Sequence, residues 1–273
     1  MARTKKYMMA AWTALAMTAC NEIDLDDRLI DTELKDLQQT VLMEEFTGQN
    51  CPNCPAGAQT AHSLQELFGR KVVVVGIHAG GFAAGSEFQT EAGTAYWNHF
   101  YADGDGIGYP AAMFNRGGKV STGYQSEWRS LVIEGGLVAP THSLTLQAQY
   151  DPLTREVRAE ATVGKRSEAD GTPTKLLFML TESKIVNYQI NGSKFEPEYE
   201  HNHVLRGAIG DRDANPNFWG DDVALTAGED VAVQSAAYRL DDAWKAENMQ
   251  VVGVLYDAQT YRVLAADEVA IVK

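Results

Sequence analysis

The sequence predicts two folded parts in series, an α/β domain followed by an all-β sandwich of the immunoglobulin-like kind. Three observations predict it. A strand, a helix and a second strand are spelled out within about forty residues of position 40. Near Pro140 the pattern changes to short alternating runs separated by turn residues. The chain has 273 residues, 45% hydrophobic and 22% charged, enough to bury two cores of ordinary size and too apolar for wholesale disorder.

The amino terminus reads as an address. Arg3, Lys5 and Lys6 precede an apolar stretch over residues 7–17, and Thr18-Ala19 set two small side chains before Cys20. That stretch falls short of the ~20 residues a membrane helix needs and fits a signal peptide over residues 1–19. A Cys directly after the small pair is the bacterial lipobox arrangement, in which Cys20 is acylated and becomes the first residue of a membrane-anchored protein. An ordinary signal peptide with Cys20 as a leftover thiol is the blander reading. Residues 20–39 form a polar tether. Its early acids, Glu22, Asp24, Asp26 and Asp27, fit either export to the cell surface or a solvated linker. The expected location is the outer membrane, lipid-anchored and facing the cell surface.

The α/β part spans residues 40–136. Residues 40–46 are a short apolar run, read as a buried strand. Residues 51–68 carry Ala58, Ala61, Leu64, Leu67 and Phe68 at helical spacing and stop at Gly69. Residues 71–78 are nearly unbroken β-branched sequence, as in a strand covered on both faces. A helix over 91–101, a hairpin over 111–121 and a helix over 125–134 complete it. The sandwich spans residues 140–273, with strands predicted at 143–150, 156–163, 175–180, 203–209, 231–239, 250–256 and 263–271.

Cys51-Pro52-Asn53-Cys54 sits just after the first strand and opens the first helix. In that context a CxxC carries chemistry. The unsatisfied N–H groups and partial positive charge of a helix amino terminus stabilise a thiolate at Cys51, leaving Cys54 as the resolving thiol. A plain stabilising disulfide fits the same residues. Zinc does not: no second CxxC and no finger-spaced histidine pair follows.

These residues resemble the thioredoxin superfamily over about residues 40–136. The resemblance implies an α/β thioredoxin-like domain in which Cys51 and Cys54 are catalytic and Glu45 handles the proton of the second cysteine. Pro110, after Gly108-Tyr109, matches that family's cis-proline. Asn50 stands where an aromatic residue is usual, and residues 79–106 form an insertion. A second resemblance spans nearly the whole chain. The lipobox, the run Glu44-Glu45-Phe46-Thr47-Gly48-Gln49-Asn50-Cys51-Pro52-Asn53-Cys54-Pro55 and His201-Asn202-His203-Val204-Leu205-Arg206 resemble the twenty-eight-kilodalton outer-membrane lipoprotein family. It implies a thioredoxin-like domain joined to a sandwich, at the outer membrane, in the role of surface receptor or adhesin.

Other candidates are weaker. His201 and His203 lie at i, i+2 near Glu198 and Glu200, read as a structural cluster ahead of a metal site. Asp211, Asp213, Asn215 and Asp222 have calcium-loop spacing, but Pro216 occupies the glycine position. Asp103-Gly104-Asp105-Gly106 is a turn. His62 and His78 have no assigned role, and Tyr96, Trp97, Phe100 and Tyr101 have core spacing. No cofactor or metal is expected. Net charge is −14, and without the three basic leader residues 20 Lys+Arg face 37 Asp+Glu, or −17, so nucleic acid is excluded as a partner. The expected partners are the membrane, through Cys20, and either a thiol-containing protein substrate or a host or envelope surface ligand. Two functions remain open: thiol–disulfide exchange, and non-catalytic surface binding with the cysteines as a staple.

Overall fold

Two apolar runs make the centre of the fold. β1 (Val41–Thr47) and β2 (Val72–His78) pair in parallel, from Val41 opposite Val72 to Thr47 opposite His78. Both are buried almost throughout, as expected of strands covered on two faces. α1 (Cys54–Phe68) connects them and lays Ala61, Leu64 and Phe68 against Val41, Met43, Val72 and Val74. α2 (Glu91–Phe100) covers the opposite face with Ala92 and Tyr96, against Leu42, Phe46, Val73 and Val75. Thr90 caps it, its hydroxyl accepting from Gly93 N at 2.9 Å. β3 (Ala111–Phe114) runs antiparallel to β1, and α3 (Glu127–Gly136) brings Trp128 to the α1 side. The Tyr109–Pro110 peptide is cis.

This computed structural model describes residues 37–101, 108–166, 172–211 and 216–272. The leader, Cys20, the early tether, the turn at Asp103-Gly104-Asp105-Gly106, and Asp213 and Asn215 lie outside the described residues.

The later strands are β4 (His142–Asp151), β5 (Glu156–Lys165), β6 (Thr174–Glu182), β7 (Ile185–Asn191), β8 (Lys194–His201), β9 (Val204–Ala208), β10 (Asp221–Val223), β11 (Asp230–Gln234), β12 (Tyr238–Arg239), β13 (Met249–Asp257) and β14 (Val263–Ala270). They do not stand apart from the first half. One eight-stranded sheet runs β14-β13-β6-β9-β2-β1-β3, with β10 on β6. A four-stranded sheet, with β4, β11 and β12 on β5, packs Leu146, Val157, Ala159, Ala161 and Val163 against Leu176, Leu180, Val251 and Leu255 of the large sheet. β7 and β8 pair only with each other, through the two-residue loop Gly192-Ser193, where Gly192 takes the φ of +58° that suits glycine.

The predicted fold class is therefore corrected. The chain is mostly β, with three α-helices among the described residues, and no thioredoxin-like α/β domain followed by an immunoglobulin-like sandwich is seen. The cause is β9. β1 fills one edge of the β-branched strand β2, and the other edge is taken by a segment more than 120 residues later, Gly76 N donating to His203 O at 2.8 Å. β9 pairs in turn with β6, so strands of both halves share one sheet. The core follows the sheet: Leu42, Val73 and Tyr96 lie in one cluster with Leu177, Leu205 and Val254.

Candidate functional site

β1 delivers the site. Side chains alternate along a strand, so Met43, Glu45 and Thr47 share one face, continued on β2 by Val74, Gly76 and His78. That face looks toward α1. Beyond Thr47 the chain turns through Gly48, with Cys51 N donating to Gly48 O at 3.0 Å, and enters α1 at Cys54. Asn53 is the N-cap and makes no side-chain cap bond; Cys54 N donates to Cys51 O at 3.4 Å and Ala56 N to Asn53 O at 3.1 Å, so the positive end of the helix faces the CxxC loop. Cys51 and Cys54 are joined in a disulfide, Cα–Cα 5.4 Å.

Around the pair the structure places Glu45 and Pro110. Gly57, one turn into α1, is required there: a Cβ on it would meet Pro110 Cβ at 2.6 Å and Glu45 Oε1 at 2.9 Å. The four residues singled out from sequence thus converge on one corner. Glu45 is buried and its Oε1 has no hydrogen-bond partner. Burial pushes its carboxyl up to about 8, so it holds a proton at neutral pH.

Sequence reasoning missed the cover. The β7–β8 hairpin lies over the disulfide loop. Gln189 Nε2 donates to Cys51 O at 3.0 Å and to Gly48 O at 3.3 Å, Ile190 N to Gln49 O at 2.8 Å, and Gly192 N to Pro52 O at 2.8 Å. Gln49 answers with a bond from its Nε2 to Tyr188 O at 2.9 Å. Both cysteines are consequently buried, Cys51 at 0% and Cys54 at 2% exposure. Gly192-Ser193 between two alternating runs is the local signal for this hairpin. Pro197 in the second run obscures it, and Pro is tolerated there because β8 is an edge strand.

A cavity of about 360 Å³ opens beside the covered pair. Its walls are the Glu45–His78 face of the sheet, α1 from Cys54 to His62, and the hairpin with the residues that follow it, Tyr199 to His203. Three of the histidines here, His78, His201 and His203, are neutral at pH 7. Burial lowers His78 to about 3, helped by His201 and Arg206. Burial also lowers His201 to about 4, against the bond to Tyr188 O, and lowers His203 to about 4, helped by His62. His201 ends β8 and packs edge-on against His78, ring centroids 5.8 Å apart, while His203 sits in the turn before β9 at φ +56°. The two do not share a strand face. Among the described residues no group of three or more His, Cys, Asp or Glu is placed to hold a metal ion. His62 is exposed and pairs with Glu66 at 3.4 Å, and Asp222 pairs with Lys175 at 3.2 Å. No helix among the described residues is long and apolar enough to cross a membrane.

Comparison with known proteins adds the following. A family model described as outer membrane protein Omp28 matches residues 97–273, a span that includes the hairpin and most of the strands but not the cysteines. Among solved structures, HBP35 of Porphyromonas gingivalis is similar with TM-score 0.71 and 16% identity, covering 87% of this chain and 76% of that one. A protein from Agrobacterium tumefaciens gives TM-score 0.50 and 13% identity, covering 85% of this chain and 95% of that one. A domain of the outer membrane lipoprotein Omp28 from P. gingivalis gives TM-score 0.33 and 22% identity, covering 48% of this chain and 88% of that one. At these identities the first two likenesses speak to the fold alone. None of the curated proteins matches the sequence.

Proposed function

The chain belongs to the Omp28 outer membrane protein family, and from that premise we propose that it is a lipid-anchored, surface-facing envelope protein whose Cys51–Cys54 pair undergoes thiol–disulfide exchange. One observation carries this reading: a buried carboxyl, Glu45, with an unpartnered oxygen, lines the same cavity as Cys54. A stapling disulfide has no use for such an acid, and burying it unpaired lowers stability. Exchange has a use for it. In the course of reduction the Cys54 sulfur leaves as a thiolate at one of the two displacement steps, and a carboxyl protonated at neutral pH supplies its proton; on closure the proton returns. Cys51, ahead of an uncapped helix amino terminus, is the thiol that ionises. Pro110 supports the geometry by packing against Gly57.

The test is titration of the pair against a glutathione buffer. Exchange predicts a potential above about −300 mV, and a lower value marks an inert bridge. Glu45→Gln should slow full reduction of the pair at pH 7 by roughly ten- to a hundredfold, the usual range for losing a positioned acid.

A second reading, a non-catalytic receptor or adhesin stapled by the cysteines, is favoured by the cover over Cys51 and by Val186 and Phe195, which the hairpin exposes at 61% and 62%. The same titration decides between the two. The anchor rests on Cys20 and the residues before it. Cys20→Ala should release the protein from the membrane fraction or block its maturation; a processed variant still sedimenting with membranes refutes the anchor.

A further inference from the structure

We infer that the cavity between α1, β2 and the β7–β8 hairpin admits low-molecular-weight thiols to the Sγ of Cys54, so that the pair exchanges with small thiols and not with folded proteins. The inference rests on the exchange reading above and names its substrate class.

The two cysteines stand differently to the cavity. Backbone and side-chain bonds from Gln189, Ile190 and Gly192 close the loop that carries Cys51, and a folded protein reaches Cys51 only by lifting the hairpin. Cys54 lines the cavity. At about 360 Å³ the cavity lies near the lower bound of small-molecule sites, roughly 300–1,000 Å³. Its walls also hold hydrogen-bonding capacity that the protein does not use: Glu45 Oε1, His78 Nδ1 and His203 Nδ1 are all buried without partners. Buried polar groups left unpaired call for water or a polar ligand. The amino and carboxylate groups of a small zwitterionic thiol match such walls, because a neutral imidazole accepts on one nitrogen and donates on the other.

The chemistry favours the same sulfur. A thiolate attacking Cys54 Sγ forms a new S–S bond to Cys54 and breaks the Cys51–Cys54 bond, expelling Cys51 as thiolate. That leaving group sits just ahead of the uncapped amino terminus of α1, and the better-stabilised thiolate leaves faster. A second small thiolate then attacks its own kind in the mixed disulfide. The small disulfide departs, and Cys54 leaves as a thiolate that takes the Glu45 proton. Two small thiols are oxidised and the protein disulfide is reduced, in balance.

Two independent measurements test this on the full mature chain. In the single-thiol variants C51S and C54S, with cystine as probe and intact mass as readout, Cys54 should become cysteinylated at least tenfold faster than Cys51. In the disulfide form, Ala58→Trp, which fills the cavity from α1, should slow reduction by L-cysteine at least tenfold. Reduced thioredoxin, as the folded-protein thiol, should be slower than L-cysteine on the unaltered chain. Faster modification of Cys51, or an Ala58→Trp rate equal to the parent, overturns the cavity route while leaving exchange intact. Absence of reduction by both L-cysteine and thioredoxin overturns the exchange reading and this inference with it.

Discussion

Arg116→Met is expected to destabilise the folded protein by about 3–5 kcal/mol, the cost of stranding one member of a buried ion pair. Arg116 follows β3 and donates to both oxygens of Glu44 on β1, Nε at 2.8 Å and Nη2 at 2.6 Å, with both side chains fully buried. Its guanidinium also lies 5.1–5.5 Å from the ring centroids of Tyr96, Phe100 and Tyr256. The cage therefore gathers β1, the end of β3, α2 and β13, which come from both halves of the sequence. Removing the cation leaves the Glu44 carboxylate alone among aromatic rings. The double variant E44L/R116M should recover most of the loss, because replacing both members with apolar groups removes the uncompensated charge. Denaturant unfolding of the three variants measures this. A loss below about 1 kcal/mol for Arg116→Met would show that the pair is not what closes the junction.

Stability should peak near pH 6.5 and fall on both sides, for opposite reasons. On the acid side, His78, His201 and His203 have folded values of about 3, 4 and 4 against an ordinary 6.5. Below pH 6.5 the unfolded chain takes up protons that the buried imidazoles refuse, so stability is lost as pH falls toward 4. On the alkaline side, burial holds Glu45 at about 8, and burial with the neighbouring Asp267 holds Glu268 at about 7. The unfolded chain releases those protons from about pH 4.5 upward while the native state keeps them, so stability falls as pH rises, until about pH 8. Between 4.5 and 6.5 the two sets oppose, and three imidazoles outweigh two carboxyls. Above 6.5 only the carboxyls act. Glu45 by itself contributes a loss on the order of 4 kcal/mol by pH 8. Urea midpoints from pH 4 to 9 should trace this shape, and Glu45→Gln should flatten the alkaline limb. An alkaline limb unchanged in that variant would mean that Glu45 is ionised in the native state.

Much of the corner that holds the cysteines was legible in sequence, because it is local. The helical spacing of Ala61, Leu64 and Phe68, the β-branched run of β2 and the position of Cys54 at a helix start are properties of covalent neighbours. So is the placement of Glu45, six residues before Cys51 on the preceding strand. The hairpin was not read, although Gly192-Ser193 marks its turn, because Pro197 and the charged residues of β8 resemble a loop. The cage was not read either, since Glu44 and Arg116 look like ordinary surface charges until their burial is known.

The sequence by itself determined the periodic elements, the family resemblance that the Omp28 match upholds, and the pairing of chemistry at one βα corner. Periodicity says which face of a strand is apolar; it does not say which strand lies beside it. Only the tertiary structure decided that β9 joins β2 and β6, turning the expected pair of domains into one mostly β fold around a shared sheet. It alone decided that a hairpin more than 130 residues away covers Cys51 and leaves Cys54 facing a cavity. The physical reason is the same in both cases: edge hydrogen bonds are satisfied by whichever backbone the whole fold brings there, and that choice is made over the entire chain.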